Sequence, residues 1–115
     1  MPEFTYCLNT STIRPTPLLE KLRLAGRAGY QAIEPWNDEV SDYLAAGGSM
    51  AELRSALSDA GLKVVSVIAL HGWITAEGDE YTRVLDDCKR RMAQAAELGS
   101  PYIVASPPME VVDLD

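Results

Sequence analysis

Three segments of the chain repeat one pattern, and this repeat restricts the fold more than any other feature. Each segment has the end of an amphipathic stretch, a glycine, and then a run of apolar, often β-branched residues; the segments are residues 28–34, 60–66 and 98–104. A glycine in this place ends a helix at its C′ position, and the apolar run after a short turn is typical of a buried strand. Gly29, Gly61 and Gly99 are spaced 32 and 38 residues apart, which suits βα units of roughly 30 residues or more. The repeat therefore predicts a parallel α/β fold.

The elements follow from this repeat. The predicted strands cover residues 4–8, 32–35, 64–70 and 102–105. We expect Thr16 to cap the first helix, with Pro17 at the first helical position. Ser49 and Glu52 have the spacing of a capping box for the second helix, and the third is expected to begin near Asp79. The predicted order is β-α-β-α-β-α-β with right-handed crossovers.

Length and charge limit the classes of function. The 115 residues suit one domain but not an eight-fold barrel of about 250 residues. The net charge of -7 argues against nucleic acid as a partner, because phosphate binding requires clustered Lys and Arg. The densest basic group, Arg83 with residues 89–91, alternates with acidic residues. We interpret that group as the solvent-facing side of a helix.

The two cysteines and the chain start carry little chemistry. Cys7 lies in a predicted strand and Cys88 on an apolar helix stripe, so both are expected to be small buried thiols rather than metal ligands or a disulfide. No signal peptide follows Met1, and the longest apolar run is too short to cross a membrane. We therefore expect a cytoplasmic protein without a membrane partner.

Unusual residues follow the predicted strands, where ligands bind in parallel α/β folds. Asn9 to Arg14 follow the first strand, residues 34–38 end the second, His71 to Trp73 follow the third, and residues 106–108 follow the fourth. The turns at the opposite ends are short and contain no such groups. Asn9, Arg14, Glu34, Trp36, His71 and Trp73 are the candidate substrate-binding residues; residues 106–108 are interpreted as a rigid strand end.

Each candidate also has a structural alternative. His71 could be a metal ligand, a general acid or base, or a substrate contact, or a loop residue bonded to backbone. Glu34 could orient a substrate hydroxyl or a histidine, or pair with Arg14. Arg14 could bind a carboxylate, a phosphate or a polyol, or form a surface ion pair. Trp36 and Trp73 could form the wall of a sugar pocket or pack at the sheet rim.

Several runs resemble the opening of xylose isomerase-like TIM barrels, the superfamily of sugar phosphate isomerases and epimerases. The runs are CLNT at 7–10, GYQAIEPWN at 29–37, GLKVVS at 61–66 and LGSPYIV at 98–104. The resemblance implies that residues 1–115 are a single unit, the truncated N-terminal half of such a barrel (β1-α1-β2-α2-β3-α3-β4). Glu34 and Trp36 match the family's second strand end, and His71 matches a polar position after the third.

The resemblance also implies metal-assisted proton transfer next to a carbonyl, with a divalent ion (Mn, Mg, Co or Zn) and paired glutamates. In the family the Glu, Asp, His and Glu ligands come from later strands, beyond Asp115. We therefore expect the whole protein to be an isomerase or epimerase of a sugar or polyol in carbohydrate metabolism. This chain alone is expected to hold no metal, to have no catalytic residue and to be inactive.

Other functions compete with this one. The chain could be a non-catalytic half-barrel that binds a small molecule or assembles with itself. It could be a flavodoxin-like open sheet with a phosphate loop at residues 10–12. It could also be a repair enzyme like endonuclease IV, but Ser106 stands where that branch has a histidine after the fourth strand. Because a half-barrel leaves apolar side chains and sheet edges uncovered, a homodimer or a complex with a second half-barrel is expected.

Overall fold

The computed structural model describes residues 3–108. This part of the chain contains five short strands and four α-helices. In chain order they are β1 (Cys7–Asn9), a 3₁₀ helix (Thr10–Ile13), α1 (Leu18–Arg27), β2 (Ala32–Glu34), α2 (Asn37–Ala45), α3 (Met50–Asp59), β3 (Lys63–Val64), β4 (Val67–Leu70), α4 (Gly78–Glu97) and β5 (Ile103–Ala105). The predicted βα repeat is confirmed.

All strand pairs are parallel, and the strands follow one another in space as in the chain. β2 lies between β1 and β3, with Leu8 opposite Ile33 and Ile33 opposite Val64. β4 pairs with β5, and a bridge between Trp36 and Ile68 links β4 to the end of β2. A flavodoxin-like sheet would place the first strand between the second and the third. That alternative was therefore wrong, and the order is that of a barrel wall.

The glycine repeat has a common geometry. Gly29, Gly61 and Gly99 have φ values of +94°, +68° and +80°, the left-handed region in which glycine carries no steric penalty. Each donates its N–H to the carbonyl three residues earlier, and the next residue donates to the carbonyl five residues before it. This pair of bonds is the Schellman motif. It turns the chain from each helix into the next strand.

Two predicted strands and the number of helices required correction. The strand predicted at 64–70 is interrupted, so β3 ends at Val64 and β4 begins at Val67. The first strand begins at Cys7 rather than at residue 4. Helix α2 was not predicted, because its apolar stripe is short, with only Val40 buried among its apolar residues.

The helix starts agree in part with the predictions. The Ser49 and Glu52 capping box is confirmed, and α4 begins at Gly78, one residue before the predicted start. The Thr16 cap and the placement of Pro17 at the first helical position were both wrong, because Pro17 occupies the cap position and α1 begins at Leu18. The Pro17 carbonyl accepts the Lys21 N–H at 2.9 Å instead.

The core lies between the sheet and the helices. Ile33 and Val67 are fully buried there, together with Leu22, Val40 and Leu53 from three helices. Cys88 is buried as expected, but Cys7 is exposed. Cys7 alternates with Leu8, which is partly buried and packs against the core. Cys7 therefore faces the other side of the sheet, which no helix of residues 3–108 covers. None of the described helices is long and apolar enough to span a membrane.

Candidate functional site

Two candidate residues meet at the carboxyl ends of β1 and β2. Asn9 and Glu34 lie opposite each other in register, and the Asn9 Nδ2 donates to Glu34 Oε1 at 2.8 Å. Both alternate with core residues, so they belong to the face of the sheet that the helices leave uncovered. Glu34 is half-buried. A carboxylate in this position is held by an amide and still has a second oxygen that can accept a hydrogen bond.

The Asn9 side chain organises its surroundings. Its Oδ1 accepts from the Ser11 N–H at 2.9 Å and from the Ser11 hydroxyl at 2.6 Å, so it caps the 3₁₀ helix. The same oxygen accepts from the indole Nε1 of Trp36 at 3.1 Å. The Trp36 N–H donates to Thr10 Oγ1 at 3.2 Å. Asn9, Glu34 and Trp36 therefore form one connected set of polar groups, which we call the strand-end site.

Glu34 affects the thiol next to it. Burial raises the pKa of Cys7, and the negative charge of Glu34 on the same face raises that pKa further. The alternative of an ion pair between Glu34 and Arg14 does not occur in residues 3–108, where Glu34 is bonded to Asn9 instead.

Arg14 lies apart from Glu34, in a groove of about 630 Å³ between α1 and α2. We call this the α1–α2 groove; among its lining residues are Ser11, Arg14, Lys21, Trp36, Asp42 and Tyr43. The exposed Trp36 is thus shared by the groove and the strand-end site. Trp73 is 38% exposed and does not line this groove.

His71 follows β4 and faces a residue that sequence reasoning missed. Its Nε2 lies 3.8 Å from Asp38 Oδ2, which is too long for a hydrogen bond but close enough for electrostatic attraction when the imidazole is protonated. Asp38 also accepts from the Arg91 guanidinium. Asp38 lies in the first turn of α2, within the polar run 34–38 that follows the second strand, and this run was the available signal.

Arg91 corrects the expectation of a solvent-facing basic group. Only 7% of Arg91 is exposed, and its guanidinium reaches Asp87, Asp38 and the Ala69 carbonyl. Burial alone would lower the pKa of Arg91, but together the two carboxylates raise it. The pKa of Asp87 is lowered, chiefly by its hydrogen bond from Arg91. Arg91 thus ties α4 to the strand end and to Asp38.

The described residues do not fit a metal site. Residues 3–108 contain no group of three or more His, Cys, Asp or Glu side chains that could hold an ion. Glu34 accepts a hydrogen bond from the Asn9 amide, whose oxygen accepts from the Trp36 indole. Asp38, which lies beside His71, forms an ion pair with Arg91. The groups present at this edge are hydrogen-bonded polar side chains and an exposed aromatic face.

Comparison with known proteins identifies the fold. No family model matches the sequence, and no curated protein matches it. Solved structures do match. One is a xylose isomerase domain-containing protein from Salmonella typhimurium LT2, with a TM-score of 0.76 at 18% identity over 92% of this chain. Another is the IolI protein with a bound zinc atom, with a TM-score of 0.80 at 24% identity over 95% of this chain. The chain has the fold of xylose isomerase-like TIM barrels.

A third match shows the same fold. D-psicose 3-epimerase, solved in the presence of D-fructose, has a TM-score of 0.70 at 14% identity over 96% of this chain. The chain spans 38%, 41% and 42% of the lengths of these three proteins. The resemblance inferred from CLNT, GYQAIEPWN and the later runs is therefore confirmed at the level of fold. The matched region corresponds to less than half of each of these three proteins.

Proposed function

We propose that this chain supplies part of the substrate-binding face of a sugar isomerase or epimerase. Residues 1–115 would act as one unit, the N-terminal half of the barrel. The observation that carries the proposal is the strand-end site, where the Asn9 amide, the Glu34 carboxylate and the Trp36 indole are joined by hydrogen bonds of 2.8 and 3.1 Å.

The chemistry of these groups suits a polyhydroxylated ligand. The second oxygen of Glu34 accepts a hydrogen bond from a sugar hydroxyl, and the Trp36 ring offers an apolar face for sugar C–H groups. Because Asn9 is already held by Ser11 and Trp36, the carboxylate that it contacts has a defined orientation before substrate arrives. Preorganisation of this kind reduces the entropy lost on binding.

The proposal assigns substrate binding to this chain and no proton transfer. The resemblance implies a divalent metal ion in the whole enzyme, but residues 3–108 offer no ligand set for it. We therefore propose that the metal ligands and the paired catalytic glutamates belong to later strands of the same barrel. We also propose His71 and Arg14 as further contacts for the substrate, and Trp73 as part of the pocket wall at the strand ends.

The alternative, a non-catalytic or self-assembling half-barrel, is favoured by one observation. Tyr102 is 72% exposed and Val104 39% exposed on the face without helices. We propose that this face packs against further strands, from the rest of a longer protein or from a second copy. Size-exclusion chromatography with light scattering on residues 1–115 tests the second case: dimers are expected, and a stable monomer with no dye-binding apolar surface would contradict it.

The reaction proposed for the whole enzyme, and the part of Glu34 in substrate binding, are tested on the protein in its natural length. D-fructose and D-psicose are incubated with it in D₂O, and deuterium at the carbon next to the carbonyl is followed by NMR. We expect exchange in the natural protein, and in Glu34→Gln a KM at least about tenfold higher, since a hydrogen bond to a charged group is lost.

The matched control is Glu80→Gln, an exposed glutamate in the first turn of α4. It should leave the exchange rate unchanged. Equal KM values for the two variants would refute the role of Glu34, and no exchange with either ketose would refute the reaction proposed for these substrates.

A further inference from the structure

The α1–α2 groove is a second concave surface beside the strand-end site. It lies between two helices, outside the strand-end site, and its volume of about 630 Å³ is within the range of roughly 300–1,000 Å³ typical of small-molecule sites. Nothing in the strand-end site requires a second cavity of this size.

The walls of the groove are held in place by side-chain bonds. Lys21 of α1 forms an ion pair with Glu39 of α2, and the Lys21 side chain is only 4% exposed. The Tyr43 hydroxyl donates to Glu52 of α3. A buried lysine is costly unless it is paired, so the Lys21–Glu39 pair holds the two helices at one spacing. The groove therefore exists before any ligand binds.

Two charged groups on the walls remain available. Within residues 3–108 the exposed side chains of Arg14 and Asp42 form no hydrogen bond or ion pair with another residue. One is a donor and the other an acceptor, and Trp36 and Tyr43 add aromatic surface. A simple anion would be repelled by Asp42 and a simple cation by Arg14. Hydroxyl groups both accept from guanidinium and donate to carboxylate, so a sugar unit matches this wall.

The groove is continuous with the strand-end site through Trp36. That indole lines the groove and donates to Asn9 at 3.1 Å, and Ser11 is shared in the same way. We propose that the α1–α2 groove binds the outer sugar unit of a glycoside whose inner unit lies at the strand-end site. This inference rests on the proposed function and specifies its substrate class as a glycoside or oligosaccharide rather than a free monosaccharide.

The test compares ligands of two lengths on the protein in its natural length. Isothermal titration measures the affinity for D-fructose and D-glucose, and for maltulose and cellobiose, in which a glucosyl unit extends each of them. We expect at least one disaccharide to bind about tenfold more tightly than its monosaccharide. Asp42→Asn and Arg14→Gln should reduce that ratio toward one. Asp86→Asn and Arg83→Gln, at exposed positions of α4, should preserve it.

The outcomes separate the two proposals. If monosaccharides bind and no disaccharide binds more than about threefold more tightly, the groove proposal is overturned and the strand-end site stands. If none of the four sugars binds, the proposed function itself fails. A ratio that is equally reduced by Asp42→Asn and Asp86→Asn would also overturn the groove, because the effect would not depend on the groove wall.

Discussion

The two faces of the sheet differ in cover, although the same strands form both. On one face Ile33 and Val67 have 0% exposure beneath the helices. On the other, Cys7 is exposed, Val104 is 39% exposed, and Tyr102 beside β5 is 72% exposed. The strand-end site lies on this second face. A parallel sheet normally has both faces covered, and the residues that bind ligand in our proposal share their face with exposed apolar side chains.

The largest expected effect compares two isoleucines on opposite faces. Ile33→Ala should lower the free energy of unfolding by about 3 kcal/mol, because it opens a cavity in a closed core. Ile68 is half-buried and outside the core cluster. Ile68→Ala should therefore lower the free energy of unfolding by only about 1 kcal/mol, since solvent can fill the space. Urea unfolding of residues 1–115 followed by circular dichroism measures both. Equal losses would show that the second face is covered after all.

A smaller effect is expected for the polar contact between α4 and the covered side of the sheet. Arg91→Met should cost about 2 kcal/mol at pH 7, since Asp87, Asp38 and the Ala69 carbonyl lose a charged donor. The pKa of Asp87 is lowered from its ordinary value of 3.8, so its contribution is present above that pH and is lost as the pH falls through the lower, folded-state value. The stability difference between natural chain and variant should therefore shrink below about pH 4.

The control for this prediction is Arg90→Met. Arg90 also bonds to Asp87, but its side chain is 50% exposed, so water replaces its contacts and the loss should stay under about 1 kcal/mol. Unfolding curves at pH 7 and pH 3 for both variants provide the measurement. A loss for Arg91→Met that does not change with pH would mean that the carboxylate contributes little.

The smallest expected effect concerns Cys7 on the uncovered face. Glu34→Gln removes a negative charge that raises the pKa of Cys7, so the thiolate fraction at pH 8 should rise and alkylation by iodoacetamide should speed up about twofold. The effect is modest because burial is the larger cause of the raised pKa. Mass spectrometry of the labelled peptide measures the rate, with Glu80→Gln as the control. A slower reaction in Glu34→Gln would contradict the shared face of Cys7 and Glu34.

Much of the fold could be predicted from local chemistry. Gly29, Gly61 and Gly99 end their helices because only glycine adopts a positive φ at low cost. Together with the apolar run that follows each of them, these glycines mark three helix-to-strand turns. The Ser49 and Glu52 cap depends on residues three apart and was predicted correctly. The Thr16 cap was predicted from equally local information, but the helix begins one residue later than expected. The cap position therefore falls on Pro17, which has no hydroxyl group.

The errors arose where distant contacts decide. Arg91 lies in the same charged run as the exposed Arg90, so its sequence neighbours do not distinguish the two. Its burial is explained by contacts with Asp38 and the Ala69 carbonyl, which are far away in the chain. Cys7 lies in an apolar strand and was therefore predicted to be buried. It is exposed, because its side chain is on the face of the sheet that the helices do not cover. Of the candidate residues, Asn9, Glu34 and Trp36 are brought together, while Arg14 lies in the α1–α2 groove and His71 beside Asp38.

The sequence by itself determined the βα repeat, three of the four α-helices of residues 3–108, and the edge at which the polar residues gather. These follow from backbone preferences and apolar periodicity, which are properties of neighbouring residues. Only the tertiary structure decided that Asn9 joins Glu34 to Trp36, that Lys21 and Glu39 hold a groove open, and that one face of the sheet is left uncovered by the helices of residues 3–108. Each of these depends on distances between residues far apart in the chain, and such distances are set by packing.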